Sequence, residues 1–388
     1  MTLVEGAPPR KVALPLSVAQ AMAESEVALV QPTLEPGIWQ VAAARKVGSV
    51  TVGNLQVLVA PKMRIDRLIF LLGYSRNPDF WRDHDVRVDI EAELPEALAD
   101  AFARQATWAL EQGLLHGYVE TEDSLSVLRG RFRVGDQIAR HHGRLIPLEV
   151  RFDEFTVDIA ENQLLLATTL RLLQLPIAAE PRRALQRLRL LLSDVTPPWQ
   201  GQALPPWQPT RLNRRLQPAL QLAEVVLAGN SFEHRFGEVQ VSGFMFDMWR
   251  IFEDFVCVAL REALAPFGGA SSLQYRTHLD KALAVGMKPD FVWSSGGAPR
   301  VVVDAKYKAE KYAGFPQADL YQLLAYCTVL GLSSGHLIYA KGSETSGMHK
   351  IRGVDVTVHQ HALNLSQPRR ELLAGIDELA AQLVEGGV

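Results

Sequence analysis

The chain has 388 residues, a length that predicts two or three domains with ample cores, and its 48% hydrophobic and 21% charged content is ordinary for a soluble globular protein. A formal net charge of −3 excludes a global electrostatic footprint for nucleic acid, so any DNA contact has to be local or delegated. With two cysteines and no C-x₂-C or H-x₃-H set, a zinc site is not supported. The lack of an apolar run near 18 residues or an N-terminal h-region points away from the membrane, towards a cytoplasmic protein.

Residues 1–45 are mixed in character, with Pro8-Pro9 and Pro32 breaking any long element. From Val47 to Met63 the sequence alternates and is punctuated by Gly and Pro, which predicts strands. Helical periodicity appears over Leu94–Leu115 and Ile159–Leu173, and again over Arg182–Leu192, which is strongly basic on one side. The Pro-rich stretch from Thr196 to Trp207 predicts an irregular connection, with Trp199 and Trp207 as packing anchors. A further helix is expected over Leu212–Leu227, broken or restarted at Pro218. The domain break is placed near Ser231–Gly243, where Gly237 and Gly243 flank a short strand-like run.

Two basic clusters stand out: Arg129, Arg131, Arg133, Arg140, His141, His142 and Arg144, and Arg182, Arg183, Arg187 and Arg189. Either is able to grip phosphates or an acidic partner, but an arginine-rich face paired with neighbouring acids is the slightly better reading. His141-His142 reads as loop polarity rather than a metal pair.

Phe246–Leu264 predicts an amphipathic helix with Trp249, Phe252, Val256 and Leu260 in its apolar stripe. Glu253 falls inside that stripe, a costly place for a carboxylate unless it is paired, binds a metal, or sits at the solvated edge. Downstream, Pro316–Leu330 predicts a helix on which Asp319, Gln322 and Tyr326 form one polar stripe, facing either solvent or a cleft. Cys257 and Cys327 lie in these two helices and read as buried thiols of a cytosolic protein.

Between the helices lie Lys288-Pro289-Asp290-Phe291-Val292-Trp293 and Val301-Val302-Val303-Asp304-Ala305-Lys306-Tyr307-Lys308, separated by the loop Ser294–Arg300. Both runs are β-rich, so the segment predicts a hairpin. Gly297 is the midpoint between positions 290 and 304, and a symmetric hairpin therefore sets Asp290 opposite Asp304, with Cβ atoms roughly 5 Å apart. Strand alternation brings Lys306 to the same face and sends Val301, Val303 and Ala305 to the other, towards the core. Two carboxylates and a lysine so placed suit Mg²⁺ or Mn²⁺ and metal-dependent phosphodiester cleavage.

Glu253, Pro289-Asp290, Asp304-Ala305-Lys306 and Gln322 together resemble, in order, the PD-(D/E)xK nuclease superfamily. Within it, VVVDAKYK followed by DLYQLLAY is similar to McrC, the nuclease subunit of McrBC modification-dependent restriction systems. The blocks Gly53–Lys62, Leu68–Tyr74, Leu128–Phe132 and Phe152–Phe155, with Asp158 and Asn162, extend the resemblance from about residue 50 to about 340. The segment Gly73–Arg87, where the family often carries a long insertion for its partner, is short here.

The resemblance implies an α+β or α/β fold. Residues 1–235 would be a partner-docking region, β-rich to about 90 and mainly helical after. Residues 236–388 would form a PD-(D/E)xK endonuclease domain with a mixed central sheet flanked by helices. It implies catalytic roles for Asp290, Asp304, Lys306, Glu253 and Gln322, with Mg²⁺ (or Mn²⁺) held by Asp290, Asp304 and Glu253. No G-x-x-x-x-G-K-[ST] phosphate loop is present, so GTP would enter only through a partner. That partner is implied to be an McrB-like AAA+ GTPase hexamer, stimulated by this chain, that recognises modified cytosine in double-stranded DNA. The competing expectations are a stand-alone DNA-repair or junction nuclease and a non-catalytic adaptor that activates a partner NTPase.

Overall fold

In the computed structural model the described residues are 1–83, 92–198, 203–236, 239–307, 317–340 and 347–386. Trp199, Gly237, Pro316 and the last residues of the 73–87 segment lie outside them. The fold is mixed α/β. The chain divides into two compact units, Met1–Ala97 with Gly229–Val388, and Leu98–Ala228.

The first unit therefore joins the two ends of the sequence, and the expected boundary near 231–243 falls inside one of its sheets. Strands β1 (Thr2–Val4), β2 (Lys46–Val52), β3 (Leu55–Ala60), β4 (Asn230–Phe236) and β5 (Val239–Asp247) form a five-stranded sheet in the order β1-β3-β2-β5-β4. The physical reason is the antiparallel ladder from Val241–Val52 to Asp247–Lys46, which ties the strand after the expected break to the N-terminal strands. Gly48 makes the ladder possible: a Cβ there would lie 2.1 Å from the Phe244 carbonyl oxygen.

Helix α1 (Met248–Leu264) follows β5 directly and buries Phe252, Phe255, Val256 and Leu260. Trp249, expected in the same stripe, is instead 46% exposed. The helix Ile65–Tyr74 packs against α1 through Phe70 and Tyr74, whose rings lie 6.0 and 5.5 Å from that of Phe255.

A six-stranded mixed sheet completes the unit. Its strands are β6 (Ala270–Leu273), β7 (Phe291–Ser295), β8 (Ala298–Lys306), β9 (Ser334–Ala340), β10 (Gly347–Lys350) and β11 (Thr357–Leu363), in the order β6-β7-β8-β9-β11-β10. The pairs β8–β9 and β9–β11 are parallel. Helix α2 (Gln317–Leu330) makes the crossover between β8 and β9 and packs Leu323, Tyr326 and Cys327 against Val302, Leu337, Tyr339 and Val358. Helix α1 also packs on β8. Strand β8 is therefore buried on both faces, Val302 as fully as Val301 and Val303, where a lone hairpin would leave one face open.

The hairpin β7–β8 turns on Gly296-Gly297 alone, a tighter connection than the expected loop 294–300. Both glycines have positive φ (63° and 79°), as a two-residue turn matched to strand twist requires. Ser295 pairs with Ala298 and Ser294 with Pro299, a register that by itself would set Asp290 against Val303. A bulge then leaves Arg300 unpaired, so Trp293 faces Val301 and Phe291 faces Val303. Continued one step, the corrected ladder sets Asp290 opposite Asp304.

In the second unit, strands Gly117–Leu125, Leu148–Thr156 and Arg131–Phe132 form a sheet inside a region expected to be mainly helical. Helices Ala160–Leu173 and Ala179–Leu191 match the expected spans to within a few residues, whereas the last, Gln217–Ala228, begins five residues later than expected, with Pro218 accommodated in its first turn. Trp207 donates its indole N–H to Glu224 at 2.8 Å, consistent with an anchor. Replacing Gly296 and Gly297 together with Ala is expected to cost about 2–4 kcal/mol, from two forced left-handed residues. Urea unfolding checks this, and an unchanged midpoint would contradict the assigned turn.

Candidate active site

Asp290 stands one residue before β7, and its Oδ2 accepts a hydrogen bond from the Ala305 backbone N–H at 2.9 Å. Asp304 Oδ2 lies 2.5 Å from Lys306 Nζ. The two acids and the amine therefore meet at the end of the hairpin remote from the glycine turn. Asp304 is only 1% exposed and Asp290 8%, whereas the Lys306 side chain keeps 22% of its surface.

Burial and crowding set the charge states. Burial, followed by the charge of Glu253, raises the Asp290 pKa to about 6. Burial, followed by the charge of Asp290, raises Asp304 to about 7 despite the neighbouring ammonium. Burial opposes the charge on Lys306, but Asp304 and Asp290 outweigh it and its pKa is raised.

Glu253 on α1 is half-buried and accepts a hydrogen bond from Gln274 Nε2, so it is neither stranded in the apolar stripe nor merely solvated. Burial raises its pKa against the pull of that hydrogen bond. Gln274 sits just after β6 in a left-handed conformation (φ 53°), and its backbone N–H donates to the Asp290 carbonyl at 2.7 Å. One helical turn after Glu253, the Cys257 thiol donates to the same carbonyl at 3.4 Å. Sequence reasoning missed Gln274, because nothing local marks a glutamine that acts through a strained backbone.

The polar stripe of α2 faces this cluster. Tyr326 is buried, and the nearby Asp304 charge adds to burial in raising its pKa. Gln322 is exposed and donates its amide to the Tyr326 hydroxyl at 2.7 Å. Asp319 is buried, accepts from the Tyr339 hydroxyl at 3.3 Å, and lies close enough for its charge to act on Lys306.

Among the described residues no group of three or more His, Cys, Asp or Glu side chains is arranged to hold a metal ion. Glu253, the third carboxylate, is engaged with Gln274. The donor set nevertheless fits a hard cation, since Mg²⁺ binds through one or two carboxylates and keeps several waters. Asp304 Oδ2 is buried without a hydrogen bond, its ionic contact with Lys306 apart, and a cation would satisfy it.

Part of the first basic cluster is paired with acids of its own unit. Arg133 contacts Glu122 and Asp136 at 2.9 and 2.6 Å, and Arg140 and His141 contact Glu149 at 3.1 and 2.9 Å. Arg129 stacks over Phe152 at 4.0 Å. Arg182 donates to the carbonyls of Leu173 and Leu175, capping the helix that ends at Leu173. Asn162 bridges the carbonyls of Leu115 and Val157 at 2.8 and 2.7 Å, a structural role.

No curated protein matches the chain. Among solved structures it is similar to a chain of the refined half-complex from the tetradecameric assembly of Thermococcus gammatolerans McrB AAA+ hexamers with bound McrC. Identity there is 17%, coverage 99% of each chain and the TM-score 0.57. A chain of the Thermococcus gammatolerans McrBC complex solved by cryo-electron microscopy matches at 20% identity. That match covers 68% of this chain and 88% of that one, with a TM-score of 0.39. The family model for the McrBC 5-methylcytosine restriction system component matches residues 41–340, and with that span, well over half its length, the chain belongs to this family.

Proposed function

We propose that this chain is the nuclease subunit of an McrBC-type restriction system. In this reading it is a Mg²⁺-dependent endodeoxyribonuclease of PD-(D/E)xK type that works in the cytoplasm with an McrB-like AAA+ GTPase hexamer. The observation that carries the reading is the meeting of Asp290, Asp304 and Lys306 at one end of the bulged hairpin, inside a member of this family. The assembly named for the similar Thermococcus structure supports the choice of partner. The partner supplies GTP hydrolysis and recognition of modified cytosine in double-stranded DNA.

Asp290 and Asp304 would hold the cation, Mg²⁺ or Mn²⁺, with Glu253 joining once released from Gln274. When bound, the ion supplies Lewis acidity towards a phosphoryl oxygen and lowers the pKa of a bound water. The raised pKa of Lys306 favours an ammonium over a general base, so its role is to offset negative charge building on the phosphate. Gln322 and Tyr326, hydrogen-bonded to each other, present an amide and a phenol beside the acids and position water or a phosphate oxygen.

Asp304→Ala is expected to reduce cleavage of methylated DNA by roughly 10³-fold or more in the complex with partner, GTP and Mg²⁺. Stimulation of the partner's GTPase should persist. Cutting at the wild-type rate would overturn the assignment.

The same groups predict a pH dependence. Both carboxylates are raised above their unfolded values, so as protonated acids they stabilise the fold below about pH 4, and this contribution is lost as pH rises through about 6 and 7. A cation that neutralises them should restore it. Thermal melting is therefore expected to show a larger Mg²⁺-induced rise at pH 8 than at pH 5, and equal shifts would contradict the site.

A further inference from the structure

Resting on the nuclease reading above, we propose that Glu5 and Tyr307 form a buried strut that positions Lys306, fastening the N-terminal strand to the end of the D-x-K strand. Glu5 follows β1 and is 3% exposed. Its backbone N–H donates to the Ala60 carbonyl at 3.0 Å, which fixes it to the sheet beside β3. Its Oε2 accepts hydrogen bonds from the Tyr307 hydroxyl at 2.9 Å and the Lys62 backbone N–H at 3.3 Å. Tyr307 is the residue immediately after Lys306 and β8. Its ring lies 5.9 Å from that of Phe252, the residue before Glu253.

The chemistry of the strut argues for a directed role. A buried carboxylate costs free energy that an apolar residue would avoid, so mere packing is poorly served by Glu5. A phenol–carboxylate bond instead fixes distance and direction. Strand alternation places Tyr307 on the face opposite Lys306, so holding the phenol sets where the amine emerges beside Asp304. The contact with Phe252 extends the same restraint to the turn of α1 that carries Glu253. Small displacements of such groups are costly, because reacting geometry tolerates about 1 Å or less.

The test uses the full chain in its complex with the McrB-type partner, with methylated DNA, GTP and Mg²⁺. Tyr307→Phe keeps the ring and removes only the hydroxyl; Glu5→Leu removes the acceptor; Glu5→Gln retains one. The first two are expected to lower kcat by between about 10- and 100-fold with KM for DNA unchanged, the scale seen when outer-shell partners are lost. Glu5→Gln should recover most of the rate. Because both single changes break the same Glu5–Tyr307 bond, Glu5→Leu also losing the Lys62 N–H contact, the double variant Glu5→Leu/Tyr307→Phe should cut no more slowly than the worse single. Calorimetric titration of the isolated full chain with MnCl₂ should give wild-type affinity in every strut variant, since Asp290 and Asp304 are untouched. Wild-type kcat in Tyr307→Phe and Glu5→Leu, losses that multiply in the double variant, or Mn²⁺ affinity falling in step with rate would each overturn the strut. Persistent cutting by Asp304→Ala would instead sink the nuclease reading on which it stands.

Discussion

Two carboxylates forced together out of water are the constraint around which the C-terminal half of the first unit is organised. Asp290 and Asp304 repel, both are buried, and the ammonium of Lys306 offsets only part of the cost. Nothing in packing rewards that arrangement. It is sustained because the hairpin register, the Ala305 N–H and the flanking helices hold the pair in place, and in the proposed function a divalent ion taking the oxygens would relieve it.

The rest of the unit acts as a frame for that pair. Strand β8 is central in its sheet and covered by α1 and α2, so its acid and amine move only if the sheet moves. Gln274 ties Glu253 and the Asp290 carbonyl together from the end of β6. The N-terminal strands are part of the same frame, since β5 leads straight into α1 and Glu5 bonds Tyr307. Residues that a linear reading assigns to separate halves therefore support one site.

Much of the site was legible because strand and helix periods are short-range facts. The opposition of Asp290 to Asp304, the shared face of Asp304 and Lys306, and the helices bearing Glu253 and Gln322 all follow from local spacing. The opposition nevertheless arises by a different route, a two-residue glycine turn corrected by a bulge at Arg300 rather than a symmetric loop. Residue spacing fixes the sum of the two offsets and is blind to how they are divided. Gln274, Glu5 and the sheet Gly117–Thr156 were not legible, because they depend on partners far along the chain. Trp249 was misplaced for a related reason: its helical position allows burial, but packing leaves it at the surface. The expected break near 231–243 lies a few residues after the unit boundary at Ala228/Gly229, but that Met1–Ala97 joins the C-terminal part was not legible, because it depends on the ladder with Lys46–Val52.

The account stands most directly on whether the two opposed acids bind a divalent ion together. Electron paramagnetic resonance of free against bound Mn²⁺, titrated into the full chain at pH 8, measures this without any partner or substrate. The account predicts saturable binding to the wild-type chain and its loss in both Asp290→Asn and Asp304→Asn, with folding preserved. Undiminished binding in either variant, or none in the wild-type chain, would contradict it.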